Sequence, residues 1–198
     1  MTTRIAVFDF DGTLTRKDSL LVFIRYTRGS FRFITGFIFL SPWLLAMKAG
    51  LISNQKGKEI VLQYFFGGMP QPFFDDWCRK FAETQIPALI RPGALEEIQR
   101  LRQENVAVVV VSASPENWLQ HWTRPNGLLL IGTLLQVSDG RMTGRIEGKN
   151  CHGTEKVRRI REKYPAEHTE IIAAYGDTKG DLPMLEMAQK RHWKPFRQ

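Results

Sequence analysis

Six consecutive residues, Val106 to Val111, are all valine or alanine, and this run constrains the fold more than any other feature of the 198-residue chain. A strand with one wet face alternates apolar and polar residues. A run without alternation is covered on both faces, as the inner strands of a parallel sheet are. Arg4 to Phe10 (RIAVFDF) and Glu170 to Tyr175 have the same character, and each runs into acid, Asp9 in the first and Gly176-Asp177 after the second. Helical patterns separate these strands. Ala94 to Glu104 puts Leu95, Ile98 and Leu101 on one face with charges elsewhere, Ser114-Pro115 opens a short helix, and Thr154 is expected to cap a basic helix to about Lys163. Leu128 to Val137 reads as a strand, turned at Asp139-Gly140 toward Met142 to Ile146. This alternation predicts an α/β fold with a Rossmann-like open, mostly parallel sheet.

From Asp18 to Ala88 the pattern is helical, so a helical segment is inserted after the first strand. Ser19, Ser30 and Ser53 are expected N-caps, Gly29 a stop, Gly67-Gly68 a break, and Pro72 the start of a helix through Ala82. Within the insertion, Phe33 to Met47 has no charge and is bracketed by Arg25, Arg28 and Arg32 on one side and Lys48 on the other. A spanning helix needs about 20 apolar residues, and this run also carries Thr35, Gly36, Ser41 and Pro42. Two readings stay open: a pair of buried helices broken at Pro42, or a surface of about residues 31–52 that touches a membrane interface.

With 43% hydrophobic and 24% charged residues, the composition excludes disordered and collagen-like chains. Cys78 and Cys151 are the only cysteines and lack ligand spacing, which argues against a disulfide scaffold or a zinc site. The N-terminus reads as a strand and not as a signal peptide, so a cytoplasmic protein, with membrane association left open, is expected. The net charge of +8 is spread along the chain without a zinc finger, an RNP motif or a helix-turn-helix. No nucleic-acid partner is expected; anionic small molecules or lipid headgroups suit the charge.

The chemistry concentrates at strand ends, where open α/β sheets bind ligands. Asp9 and Asp11 follow the first strand, Ser112 ends the valine run, and Asp177 and Asp181 follow the last. Strand periodicity would set Asp9 and Asp11 on one side of the chain, where two carboxylates repel unless a cation relieves them. Hard oxygen donors of this kind favour Mg²⁺.

These residues carry a resemblance. Asp9-Phe10-Asp11-Gly12-Thr13-Leu14-Thr15 resembles the nucleophile motif DxDGT(L/V)(T/V) of the haloacid dehalogenase-like (HAD) superfamily. Val108 to Ser112 is similar to its second motif, Lys156 suits its third, and Gly176 to Asp181 is similar to GDxxxD, its fourth. The resemblance implies a Mg²⁺-dependent phosphatase acting through an aspartyl-phosphate. Asp9 would be the nucleophile and Asp11 the acid/base. Gly12, Thr13, Ser112, Ala113 and Lys156 would hold the phosphate, Asp9, Asp11 and Asp177 the metal, and Asp181 would stand behind them. The insertion resembles the C1-type cap of subfamily IB, implying a core of residues 1–14 and 91–198 and a cap of 15–90. That subfamily includes phosphoserine phosphatase and a phosphatidylglycerophosphate phosphatase. Asp18 stands where the former carries a Glu, and no Arg lies between Arg32 and Arg79. A phosphomonoester of unstated identity is therefore ranked first as substrate, a lipid phosphate second, and a non-catalytic basic binding module last.

Overall fold

The computed structural model describes residues 2–197. Its strands are β1 (Thr3–Phe8), β2 (Ala107–Pro115), β3 (Leu129–Ser138), β4 (Arg141–Glu147), β5 (Thr169–Gly176) and β6 (Lys190–Trp193). They form one six-stranded sheet in the order β4-β3-β2-β1-β5-β6. Every neighbouring pair is parallel except β3 and β4, which make the expected hairpin at Asp139-Gly140. Register decides where the chemistry lands. Phe8 pairs with Val110 on one side and Tyr175 on the other, so Asp9, Ser112 and Asp177 all emerge at the same end of the sheet.

The helices are α1 (Ser19–Lys48), α2 (Asn54–Phe66), α3 (Gln71–Thr84), α4 (Ile86–Leu89), α5 (Pro92–Gln103), α6 (Glu116–Thr123), α7 (Thr154–Lys163) and α8 (Leu182–Leu185). One sheet face carries Ala6, Phe8, Val108, Val110 and Tyr175 into a core shared with Phe23, Phe66, Phe74, Phe81 and Trp118. The opposite face carries Ile5, Val7, Val109 and Val111 against Ile160, Met184 and Leu185. Both faces of β2 are thus covered, as its unbroken valines require.

Several local expectations are corrected. The chain does not break at Pro42: α1 continues through it, and the interruption falls at Gly29, whose backbone turns to φ 77° and ψ 163°. Proline removes the N–H that would bond the Ile38 carbonyl, but the Ser41 hydroxyl donates to that carbonyl at 2.7 Å, so the helix survives. Nor is the stretch wholly buried. Gly36 and Leu40 pack inward, while Phe31, Ile34, Ile38, Phe39 and Leu45 are exposed. Beyond Gly29 the helix resumes at Ser30, whose hydroxyl accepts from Arg25 Nε at 3.1 Å instead of capping the turn that follows. Asp18, not Ser19, caps α1 by accepting from the Leu21 N–H. Gly153, not Thr154, precedes α7. The tail strand β6 was not legible, because four residues of the type Lys-Arg-His-Trp show no apolar pattern.

Two glycines set the spacing of α1 and α2. A Cβ on Gly36 would lie 2.5 Å from the Phe65 ring, and one on Gly57 would lie 2.3 Å from Met47 Sδ. Alanine at Gly36 would collide with the Phe65 and Tyr64 rings, and at Gly57 it would displace the end of the Met47 side chain.

Candidate active site

β1 ends with the Asp9 N–H donating to the Tyr175 carbonyl at 2.9 Å, after which the chain winds into a turn over Phe10–Leu14. That turn corrects the expectation of a continued period-two arrangement. Asp9 stays at the strand end, whereas the Asp11 carboxylate turns toward α1 and β2. There its Oδ1 accepts from the Ser19 N–H at 2.6 Å and its Oδ2 from the Ser114 hydroxyl at 2.6 Å. Ser114 lies 3.1 Å from the Ser19 hydroxyl, which in turn accepts from Trp118 Nε1 at 3.2 Å. With Asp11 ionised, the donors run in one direction, Trp118 to Ser19 to Ser114 to Asp11. Burial first, and the neighbouring Asp18 second, push the Asp11 carboxyl up to about 6.

Lys156, in the first turn of α7, is 1% exposed and reaches across to the sheet. Its Nζ lies 2.5 Å from Asp9 Oδ1 and 2.7 Å from Asp181 Oδ1. Burial works against its charge, but Asp9 and Asp181 outweigh that and hold the ammonium above its ordinary range. Asp181 would likewise be raised by burial, yet Lys156 and the Thr178 N–H and hydroxyl keep it below the usual carboxylate value. Asp9 goes the other way. Its burial outweighs the attraction of Lys156, Asp181 adds repulsion, and its carboxyl is pushed up to about 7.

Asp177 completes an acidic cluster in which oxygens of Asp9, Asp177 and Asp181 lie within 4.8 Å of one another. Gly12 makes this possible: at φ +83° it sits where a Cβ would lie 2.5 Å from Asp177 Oδ2. The all-oxygen donor set and the close approach across Gly12 fit a hard divalent cation. Thr13 donates to Asp177 Oδ1 at 3.2 Å, so its hydroxyl backs this cluster. The Gly12 N–H is also engaged, with the Thr15 hydroxyl at 3.2 Å.

A cavity of about 560 Å³ opens beside these groups, lined at its polar end by Asp9, Asp11, Ser112, Ala113, Lys156 and Asp181. Ser112 Oγ accepts from the Ser114 N–H at 3.0 Å. Five residues at the site were not singled out from the sequence. Ser19 and Ser114 hold Asp11, Lys58 donates to the Ala113 carbonyl at 2.8 Å, and Arg197 donates to Asp177 Oδ2 at 2.6 Å. His152 lines the cavity. Ser114 had a signal, since it stands two residues past Ser112 on the same strand and so shares its side.

Residues 6–186 match the haloacid dehalogenase-like hydrolase family. The chain is 37% identical to Protein CicA of Caulobacter vibrioides over 98% of its own length and 86% of that protein. It is 26% identical to Phosphoserine phosphatase SerB1 of Mycobacterium tuberculosis, covering 93% of this chain and 62% of that one. In fold it is similar to a protein of unknown function from Bordetella pertussis, with a TM-score of 0.76 at 22% identity over 96% of this chain and 89% of the other. The match spans both the sheet and the helices that precede β2. The chain belongs to the haloacid dehalogenase-like hydrolase family.

Proposed function

We propose that the protein hydrolyses a phosphomonoester in two steps through phosphorylation of Asp9. The observation that carries this reading is the buried Asp9–Lys156–Asp181 constellation at the polar end of the cavity. A carboxylate is costly to bury even with Lys156 beside it, and at the mouth of the cavity such a group suits the role of nucleophile. In the first step an Asp9 oxygen bonds phosphorus while the bond from phosphorus to the alcohol oxygen breaks, and Asp11 gives its proton to that oxygen. In the second, water attacks the acyl phosphate, Asp11 recovers a proton from it, and inorganic phosphate leaves with Asp9 restored. A carboxyl raised to about 6 suits both halves of that exchange.

Ser112 and Lys156 are assigned to the phosphoryl oxygens, with the Ala113 main chain beside them. Asp181 positions Lys156. Gly12 and Thr13 serve indirectly, by shaping and holding Asp177. Asp9, Asp177 and the Asp11 main-chain carbonyl would hold Mg²⁺, which when bound screens the carboxylate from the anionic phosphate. Residues 15–90 are read as a C1-type cap over residues 1–14 and 91–198. SerB1 bears the name of a phosphoserine phosphatase, and a phosphorylated small molecule is the substrate class this relationship supports. The non-catalytic binding module gives way to the enzyme.

A second reading, a lipid phosphate met at a membrane surface, is favoured by one observation. Phe31, Ile34, Ile38 and Leu45 lie exposed along one side of α1. Residues 19–58 hold six basic side chains and no acid. The test of the main reading is release of phosphate from p-nitrophenyl phosphate with Mg²⁺. EDTA and Asp9→Asn should each abolish it; turnover unaffected by both would overturn the reading.

A further inference from the structure

The cavity beside Asp9, about 560 Å³, is larger than a phosphate requires, and a continuous part of its wall is hydrocarbon. Leu20, Leu21, Phe37, Leu44 and Met47 of α1 face Val61 of α2 across it. The wall is built in, since the missing Cβ of Gly57 is what lets Met47 pack against α2. Of Asp11 and Asp18, which also line the cavity, Asp11 has both carboxylate oxygens engaged and Asp18 one of its two. One Asp18 oxygen caps α1 through the Leu21 N–H at 3.1 Å, and both Asp11 oxygens accept from Ser19 and Ser114. Lys58, one turn before Val61, stands where the two ends meet. Its Nζ bonds only neutral partners, the Ala113 carbonyl at 2.8 Å and Asn150 Oδ1 at 3.2 Å.

We propose, building on the phosphatase reading, that the substrate is the phosphomonoester of an alcohol carrying a hydrocarbon chain. Its phosphate sits among Asp9, Ser112 and Lys156, and its chain lies along Phe37, Leu44, Met47 and Val61. Lys58 takes a polar oxygen at the junction. A zwitterionic leaving group such as serine gains no hydrogen bond from Phe37, Leu44, Met47 and Val61, so this part of the wall favours a hydrocarbon chain over it. Each methylene of a chain that leaves water for this wall strengthens binding by about fourfold.

A series of n-alkyl phosphates from methyl to octyl, kept below their micelle concentrations, tests this beside phosphoserine and p-nitrophenyl phosphate. The proposal expects kcat/KM to climb with each added methylene, by up to about fourfold, and to level off once the cavity is filled. Phosphoserine should fall below butyl phosphate. In Leu44→Gln and Met47→Gln, checked for an unchanged melting transition, the climb per methylene should shrink. A flat chain-length profile, or phosphoserine preferred to butyl phosphate, overturns the proposal while leaving the phosphatase reading intact. If no ester is hydrolysed, that reading fails by itself and calorimetric binding of alkylphosphonates decides the present one. Octylphosphonate should bind at least tenfold more tightly than ethylphosphonate, and equal affinities overturn it.

Discussion

Asp9, Lys156 and Asp181 form a buried ionic triad in which one lysine is the shared partner of two carboxylates. Removing it strands two carboxylates away from water. Lys156→Met should cost about 3–5 kcal/mol in urea unfolding at neutral pH, because breaking a buried pair leaves uncompensated charge. The loss should shrink as pH falls and the acids protonate. A cost under 1 kcal/mol at neutral pH would mean that the triad is not held in this geometry. Gly12 offers a different test, since Gly12→Ala must both adopt φ +83° and move the Asp177 carboxylate. It should weaken Mg²⁺ binding, followed by titration calorimetry, by at least tenfold; unchanged affinity would remove Asp177 from the metal site. At this scale much was legible. Asp9, Ser112, Lys156, Asp177 and Asp181 carry motifs in sequence and meet at one end of the sheet. The partners of Asp11 were less so. Ser19 has the look of a helix cap, and only the third dimension shows that its N–H and hydroxyl serve Asp11 and Ser114 instead.

Among the elements, α7 shows how a helix is pinned so that it can aim its lysine. Glu155, in the first turn beside Lys156, is 8% exposed and accepts from Arg158 at 2.7 Å and Arg159 at 2.9 Å. Hydrogen bonds from Arg158, with Arg159 adding to them against the opposing effect of burial, pull its carboxyl down to about 2. A carboxyl lowered on folding contributes stability that is fully present above its unfolded value near 4.5 and is lost as pH falls toward 2. Glu155→Gln should therefore lower the urea midpoint at pH 6 and have little effect at pH 2.5; an equal effect at both would rule out the ionic origin. The strand elements were read well because fully buried strands advertise themselves as unbroken apolar runs. α1 was read in part, and its missed feature, continuity through Pro42, has a reason that is also physical. Proline is expected to stop a helix, but the neighbouring Ser41 hydroxyl satisfies the carbonyl that proline abandons. The one break is at Gly29, the stop expected from the sequence, whose positive φ is beyond the easy reach of other residues.

For the whole molecule, α1 joins the two readings of the substrate, since one of its sides lines the cavity and another meets solvent. It is long and apolar enough to cross a membrane, yet Gly36 and Leu40 are buried against the rest of the fold. If the outer side meets lipid, vesicles rich in phosphatidylglycerol should sediment the protein. Each basic residue near the surface would strengthen this by about 1 kcal/mol. Salt, Ile38→Ser and Arg32→Glu should each release it. Protein left in the supernatant at low salt would restrict the substrate to molecules that reach the cavity from water. The mostly parallel sheet and the helical segment after its first strand were legible from alternation, because parallel strands need helical crossovers, whereas the strand order was not. Which side of α1 faces inward was not legible, since both sides are apolar.

The proposed reaction forms a covalent bond between the phosphoryl group and Asp9, and that bond can be trapped. Mixing the protein with Mg²⁺ and a rapidly cleaved phosphomonoester, quenching in acid and reducing with borohydride would convert an aspartyl-phosphate into homoserine. Peptide mass mapping should then find that change at residue 9, dependent on Mg²⁺ and absent from Asp9→Asn. Finding it at another aspartate, or finding steady turnover with residue 9 unaltered at every time point, would contradict the account.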